Sequence, residues 1–242
     1  MMTSLVYDGV TVPIKVRKER RPNIRYSITG KSINVLIPKG IISKSVNHIL
    51  KEVEEWARVE FTKNPGLLNR FRVIVYENGE FIRVFGKDFQ LLIFEEKRKG
   101  LSGKVVENQR IELRVPRGAE QNLLHKAIGQ LLSRVLSDFF HKDIVKRVQY
   151  YNQTYFQEKI ESIRLKNNQS NWGSCSSKKN INLSSRLLFA PLEVLDYVIV
   201  HELAHLKEMN HSSRFWKIVR DVMPDYEDKE LWLKEHGHTF KF

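Results

Sequence analysis

The sequence predicts an α+β protein with strands concentrated in the first half of the chain and helices in the second. Alternating apolar and polar residues at 24–28 and 33–37 are typical of a hairpin of half-buried strands. A second strand-rich stretch follows at 71–96, whereas a helix is expected over about 119–150. We therefore predict a strand-rich basic region, 1–118, and a separate domain, 119–242.

Two segments of the first region resemble each other. "INVLIPKG" (33–40) and "IELRVPRG" (111–118) match at six positions, and each precedes a helix-like segment, 43–61 or 119–140. Proline cannot donate to a strand ladder and glycine adopts unusual dihedral angles, so both segments end a strand before a helix. The pattern predicts a duplicated strand-helix unit. The alternative is coincidence, because strand, turn and helix often follow one another.

The second half continues with further strands and helices. Apolar residues near 160–165 and 181–183 indicate strands around a polar, glycine-containing turn. Pro191 then suits the first turn of a helix, because the N–H that proline lacks has no helical partner there. Asn210 is a candidate left-handed end for this helix. The apolar face of 215–222 predicts another helix directly afterwards.

Composition excludes several classes of protein. The chain has 242 residues, of which 41% are hydrophobic and 29% charged, as in folded globular proteins rather than disordered ones. No apolar run reaches the roughly 18 residues of a membrane span, and we expect no membrane partner. Cys175 is the only cysteine, which rules out an internal disulfide and fits a reducing compartment, with the cytoplasm as the default.

The net charge of +13 is unevenly distributed. Residues 1–118 contain 23 Lys and Arg against 13 Asp and Glu, a balance of +10, and the run "KVRKERRPNIR" (15–25) is the densest patch. Two interpretations remain open. The charge is either a solvated basic surface, or it attracts a polyanion such as nucleic acid or a phosphorylated substrate. No zinc-finger, helix-turn-helix or RNA-binding signature accompanies it.

The segment "HELAH" (201–205) indicates a metal site. His201 and His205 are four residues apart on one helix, so both rings can bind one Zn²⁺. Glu202 would then lie beside a fourth, water-filled position, where its carboxylate can take a proton. His211 follows just past the predicted helix end and can turn back to the metal. The alternatives are core histidines paired with carboxylates and, for His211, a surface residue.

Three segments together resemble the YgjP-like metallopeptidase family. They are "NWGSCSS", "LLFAPLEVLDYVIVHELAHLKEMNHSSRFW" and "PDYEDKELWLKEHG". The family is similar in its zinc motif to the SprT-like proteins. The resemblance is dense over 160–237 and implies a zincin-like C-terminal metallohydrolase domain. It also implies one Zn²⁺ bound by His201, His205 and His211, with Glu202 as the catalytic carboxylate. The family often has arginine where this chain has Asn171.

The segment "NWGSC" has two interpretations. Zinc peptidases commonly present a strand edge before the motif helix, so Trp172, Gly173, Ser174 and Cys175 are candidate substrate-binding residues. The alternative is a buried tight turn anchored by Trp172. A role for Cys175 as thiol nucleophile or metal ligand is less favoured, because three histidines complete a zinc site with one open position.

The predicted function is that of a zinc-dependent hydrolase, first of all a metallopeptidase. One alternative is a metal-dependent nucleoside triphosphate pyrophosphohydrolase or phosphatase, whose phosphates the basic region would hold. Another is a nucleic-acid-associated zinc protease module. The expected partners are a peptide or nucleotide substrate. Tyr226 and Arg214 are candidates to stabilise the oxyanion, and His236 and His238 form a further possible metal-binding tail.

Overall fold

The computed structural model describes residues 2–29, 32–41, 43–69, 71–72, 74–168, 170–240 and 242, with the backbone alone at 43–45 and 238. Contacts within the chain define two compact units, Met1–Arg72 and Val73–Phe242. Among the described residues, no helix has the length and apolarity needed to cross a lipid bilayer.

The first unit is a four-stranded sheet followed by a long helix. Its elements are β1 (Met2–Tyr7), β2 (Val10–Glu19), β3 (Arg25–Ile28), β4 (Ile33–Pro38), α1 (Ser43–Lys63) and α2 (Pro65–Asn69). The strand order is β1-β2-β4-β3, in which β2 and β4 are parallel and the outer pairs antiparallel. From Val10 to Val16 every second residue of β2 is buried, as the period-two pattern requires, and these side chains share a core with α1.

The basic run lies along β2 and the turn after it. Lys18 donates from Nζ to the carbonyl oxygen of Ile41 at 2.7 Å. Arg21 donates from Nε to the carbonyl oxygen of Asn23 at 2.6 Å and also pairs with Glu19. Two of its cations therefore have structural contacts inside this unit.

The second unit begins with a sheet of the same topology. Its strands are β5 (Phe81–Val84), β6 (Lys87–Glu96), β7 (Ser102–Val106) and β8 (Arg110–Pro116), in the order β5-β6-β8-β7. Here β6 and β8 are parallel and the outer pairs antiparallel. The matched sequence segments form β4 and β8, which occupy equivalent places in the two sheets. Topology therefore confirms the predicted repeat of a strand-helix unit.

A helix of 31 residues, α3 (Gln121–Tyr151), follows the second sheet. The side chain of Glu120 caps it by accepting from the N–H groups of Asn122 and Leu123. Buried residues of the second sheet, of α3 and of the C-terminal helices belong to one continuous core. For this reason the division of the chain lies after residue 72, and not after residue 118 as the sequence suggested.

The rest of the second unit holds the histidine motif. Its elements are β9 (Ser162–Lys166), β10 (Gly173–Cys175), β11 (Asn180–Ser184), α4 (Leu192–Ala204), α5 (Ser213–Val222) and α6 (Tyr226–His236). The sheet order β10-β11-β9 places β10 at an edge. Helix α4 ends at Ala204, earlier than the predicted stop at Asn210. The N–H groups of Leu206 and Lys207 bond to carbonyls three residues back, which tightens the chain into turns there.

Candidate metal centre

Helix α4 carries two of the three histidines into an apolar environment. Most of its residues are buried, including Glu202, which is 4% exposed. His201 lies in the last turn, and His205 is the residue at which the helix stops. Because apolar side chains surround this helix end, few groups other than a metal ion or each other are left to satisfy the imidazoles.

His211 joins these two residues from the loop before α5. One ring nitrogen of each of the three histidines lies within 4.8 Å of the corresponding nitrogens of the other two. The Nε2 atoms of His201 and His211 are 3.0 Å apart. Two nitrogens bound to one tetrahedral Zn²⁺ at about 2.0 Å would lie roughly 3.3 Å apart. The structure thus brings the three sequence-predicted ligands together at a spacing that suits one zinc ion.

The protonation of the histidines also suits a metal. Burial lowers the pKa of His201 to about 3, with further lowering by His205 and His211. Burial likewise lowers the pKa of His205. His205 Nδ1 lies 3.1 Å from the carbonyl oxygen of Glu208, which can only accept, so Nδ1 carries the proton and leaves Nε2 free. Neutral imidazole with a free lone pair is the form that binds metals.

The side chain of Phe215 supports all three histidines and was not predicted to do so. Its ring centroid lies 4.9 Å from that of His201, 4.5 Å from that of His205 and 4.8 Å from that of His211. Ser212 caps α5 by accepting from the N–H of Phe215, which fixes this ring directly after His211. From the sequence, Phe215 was an ordinary member of an apolar helix face, and only its nearness to His211 marked it.

Glu202 follows His201 in the last turn of α4 and is almost fully buried. Burial raises its pKa to about 8, an effect that a hydrogen bond from the backbone N–H of Cys175 partly opposes. Its Oε2 is buried and has no hydrogen-bond partner among the described groups. A desolvated carboxylate of this kind binds a proton more strongly than an exposed one. It fits an acid-base role towards a water molecule at the metal.

Strand β10 passes directly along Glu202. A Cβ on Gly173 would lie 2.4 Å from Oε1 of Glu202, so the strand can approach this closely only as glycine. Ser174 points instead towards β11, where its hydroxyl accepts from Nδ2 of Asn182 at 3.2 Å. Of the candidate substrate-binding residues, Gly173 and the backbone N–H of Cys175 therefore contact Glu202, whereas the Ser174 side chain points away from it.

The thiol of Cys175 is half-buried and lies outside the histidine group. Burial, followed by the charge of Glu202, raises its pKa to about 11. Because the thiolate is the nucleophile and the metal ligand, a thiol with this pKa is inert near neutral pH.

Trp172 is both an anchor and a wall of the site. The guanidinium of Arg186 lies 4.1 Å from its ring centroid, in cation-π geometry. A Cβ on Gly237 would lie 2.4 Å from the Trp172 Cζ2, so the ring packs tightly against that backbone. Trp172 and Gly173 also line a cavity beside His201 and Glu202. Trp172 is thus anchored, as one interpretation of this segment expects, and substrate binding by the segment stays a prediction.

The sequence offered four further candidates, of which Tyr226 stacks on Trp216, a ring that contacts His201 and His211. Tyr226 is 5% exposed and its hydroxyl donates to Glu227 at 3.1 Å, while Arg214 is exposed at the start of α5. His236 stacks on Trp232 with 4.6 Å between centroids, and the side chain of His238 lies outside the described residues. The part of the cavity that α6 contributes was missed, because no local signal links α6 to a motif 25 residues earlier.

Comparison with known proteins gives one family and several relatives. The profile "YgjP-like, metallopeptidase domain" matches residues 22–236. A protein of Escherichia coli strain K12 named UTP pyrophosphatase is 25% identical over 123 residues, which are 49% of this chain and 74% of the relative.

Two solved structures are also similar over part of the chain. Both are crystal structures of metallopeptidase zymogens. One is Pyrococcus abyssi abylysin, which is 22% identical to this chain, and the other is Methanocaldococcus jannaschii jannalysin, which is 26% identical. Each covers 38% of this chain and more than nine-tenths of its own (93% and 94%), with a TM-score of 0.35. At that TM-score, neither adds to the description of the site.

Proposed function

The chain belongs to the YgjP-like metallopeptidase family, a family of hydrolytic enzymes, and we propose from that premise that it is a zinc-dependent peptidase. One observation carries the proposal. Three imidazole ligand atoms lie within 4.8 Å of one another, and a buried carboxylate with a raised pKa is adjacent to them. This is the donor set and the base that metal-assisted hydrolysis needs.

The residues divide the chemical work. His201, His205 and His211 would hold the zinc, which when bound polarises a carbonyl oxygen and lowers the pKa of water towards about 7. Glu202 accepts the proton of the attacking water. The N–H of Cys175 keeps its carboxylate pointed into the site. As the peptide bond breaks, Glu202 returns this proton to the leaving nitrogen, so that the site ends as it began.

The edge of β10 supports a peptide as the substrate. Trp172 and Ser176 bond through their backbones to the neighbouring strand, so the backbone groups of Gly173 and Cys175 face the other way. That free edge is the one that reaches Glu202. The N–H of Cys175 on that side already donates to Glu202, so an extended peptide would pair with the backbone of Gly173 and so cross the site beside the reacting carboxylate.

A second candidate is hydrolysis of a nucleoside triphosphate to the monophosphate and pyrophosphate. Its support is the relative named UTP pyrophosphatase, which shares 25% identity over half of this chain. The same metal chemistry can attack phosphorus. The comparisons give no support to the nucleic acid partner that the basic region suggested.

A product profile tests the proposal. Zinc-loaded protein is incubated in parallel with an unfolded casein-like protein and with UTP, and new amino termini and pyrophosphate are measured. Peptidase activity predicts new amino termini that Glu202→Gln protein does not produce. The Glu202→Gln preparation is the matched control, since it detects contaminating proteases. Release of pyrophosphate without new amino termini would contradict the peptidase proposal and support hydrolysis of a nucleoside triphosphate instead.

A further inference from the structure

We propose that the cavity beside Glu202 binds an uncharged, apolar side chain of the substrate next to the cleaved bond. The inference rests on the proposed peptidase function and deepens it. The cavity has a volume of about 300 Å³, within the range of small-ligand pockets. It is lined from α4, from the start of β10 and from α6, and its wall includes His201 and Glu202 of the candidate metal centre.

The walls of the cavity are apolar and already ordered. Tyr197, Val198 and Leu233 are 5%, 3% and 7% exposed, so core packing holds them in place. The indole of Trp172 is fixed between the guanidinium of Arg186 and the backbone of Gly237. A preformed apolar wall gains affinity from an apolar group without the cost of ordering its own side chains.

The charges of the cavity disfavour an anionic group. Lys234 is the only cationic side chain among the described residues that line it, and its Nζ lies 2.9 Å from Oε1 of Glu230. Glu202 adds a second carboxylate. The protein side chains that line the cavity therefore supply no net positive charge for an acidic side chain, which would find positive charge only at the metal ion that His201 would help to hold.

The position of the cavity favours a peptide side chain over a nucleobase. His201 and Glu202 themselves form part of its wall, so a group bound there lies beside the reacting bond. In a peptide, a side chain branches from the carbon next to the cleaved amide. In a nucleoside triphosphate cut between its first two phosphates, a ribose and a phosphate separate the base from that bond.

The test is a series of peptides that differ in one residue on either side of the cleaved bond. We expect kcat/KM for Phe or Leu at the preferred position to exceed that for Asp or Glu by tenfold or more. Leu233→Trp narrows the cavity from within, and Asn171→Trp covers it from an exposed position. Both should move the preference from Phe to Ala by at least fivefold at unchanged zinc content. Leu231→Trp, on the exposed side of α6, is the matched control and should behave as wild type.

The outcomes separate this inference from the proposed function. Peptide hydrolysis with equal rates for Phe, Ala and Asp, or an unchanged preference in the Asn171→Trp protein, would overturn the side-chain site and leave the peptidase standing. If Leu233→Trp fails to fold, Asn171→Trp alone decides, since its side chain is at the surface. Hydrolysis of UTP without hydrolysis of any peptide would overturn both.

Discussion

A methyl group on Gly173 would lie 2.4 Å from Oε1 of Glu202, and it would also clash with Cγ and Cδ of Glu202, at 2.6 and 2.7 Å. The backbone of Gly173 is not in the left-handed region, so the glycine is required for space and not for conformation. The Glu202 side chain therefore occupies the space that a side chain at position 173 would fill. The backbone of β10 at Gly173 thus limits where the Glu202 carboxylate can lie.

The first prediction tests the steric clash between a side chain at position 173 and Glu202. Gly173→Ala should lower the free energy of unfolding by about 1–3 kcal/mol, the usual cost of overpacking. In a Glu202→Ala background the three clashing atoms are gone, and the same substitution should cost roughly 0.5 kcal/mol or less. Urea denaturation of the four proteins measures both steps. Gly100→Ala, where a Cβ meets nothing within 4 Å, is the control. An equal loss in both backgrounds would show that Glu202 is not the obstacle.

The sequence predicted the parts of the site that depend on local spacing. The two histidines of one helix, the third histidine six residues after the second, and the strand-helix repeat all follow from periodicity and motif. The contact between Gly173 and Glu202 joins positions 29 residues apart in the chain. Leu233 reaches the same cavity from another helix. Such contacts depend on tertiary packing, which single-sequence patterns do not encode.

Two predicted boundaries failed for the same reason. The end of α4 at Ala204 depends on turns closed after the last helical residue, and Asn210 has no part in them. The division after residue 72 depends on the second sheet sharing its core with α3 and α4. The end of α4 and the division after residue 72 are both decided by tertiary packing. The change of local pattern near residue 118 shows only where predicted strands are followed by predicted helices.

The second prediction concerns Glu202 as the proton acceptor. Glu202→Gln keeps the shape of the side chain and removes its basicity, so turnover should fall by about a hundredfold or more. Zinc content should stay at the wild-type level, because the three histidines are unchanged. Initial rates on the substrate found in the product profile measure the effect. Turnover within tenfold of wild type would assign the proton transfer to another group.

The third prediction concerns the metal. Protein purified without chelators should contain about one zinc per chain by elemental analysis. A His201→Ala/His205→Ala variant should lose it, because a single remaining imidazole cannot hold the ion. His236→Ala is the matched control, since this residue stacks on Trp232 and stands outside the histidine group. Zinc that persists in the double variant, or leaves with His236, would place the site elsewhere.

The fourth prediction concerns the ion pair that joins α3 to the motif helix. Arg147 donates from Nε and Nη2 to the two carboxylate oxygens of Asp196, a buried residue that is 6% exposed. This bidentate hydrogen bonding is the main cause of the raised pKa of Arg147. Asp196→Ala should cost about 2–4 kcal/mol of unfolding free energy, because the guanidinium and the Tyr151 hydroxyl both lose this hydrogen-bond partner.

A surface pair supplies the control for Asp196. Lys217 and Asp221 lie one turn apart on α5 with side chains 72% and 60% exposed. Asp221→Ala should change the unfolding free energy by less than about 0.5 kcal/mol. Equal effects of the two substitutions would mean that the Arg147 contact contributes no more than a solvated pair.

The last prediction is a pH dependence of stability in the metal-free protein. The pKa of Glu202 rises from an ordinary 4.5 to about 8 in the folded chain, mainly through burial. The folded state then holds this proton more tightly than the unfolded state does. Its contribution to stability is fully present below pH 4.5 and is lost as the pH rises through about 8. Each unit of pKa corresponds to about 1.4 kcal/mol, so the loss is a few kcal/mol at most.

Glutamine at position 202 cannot titrate, so the difference between wild type and Glu202→Gln isolates this proton. Both proteins keep His201, and the acid loss of stability from its lowered pKa is common to both and cancels. We expect the unfolding free energy of chelator-treated wild type to fall relative to the variant between pH 4.5 and 8, as measured by urea denaturation. If the two curves of unfolding free energy against pH are parallel across that range, the buried carboxylate has an ordinary pKa. Burial would then not explain its strength as a base.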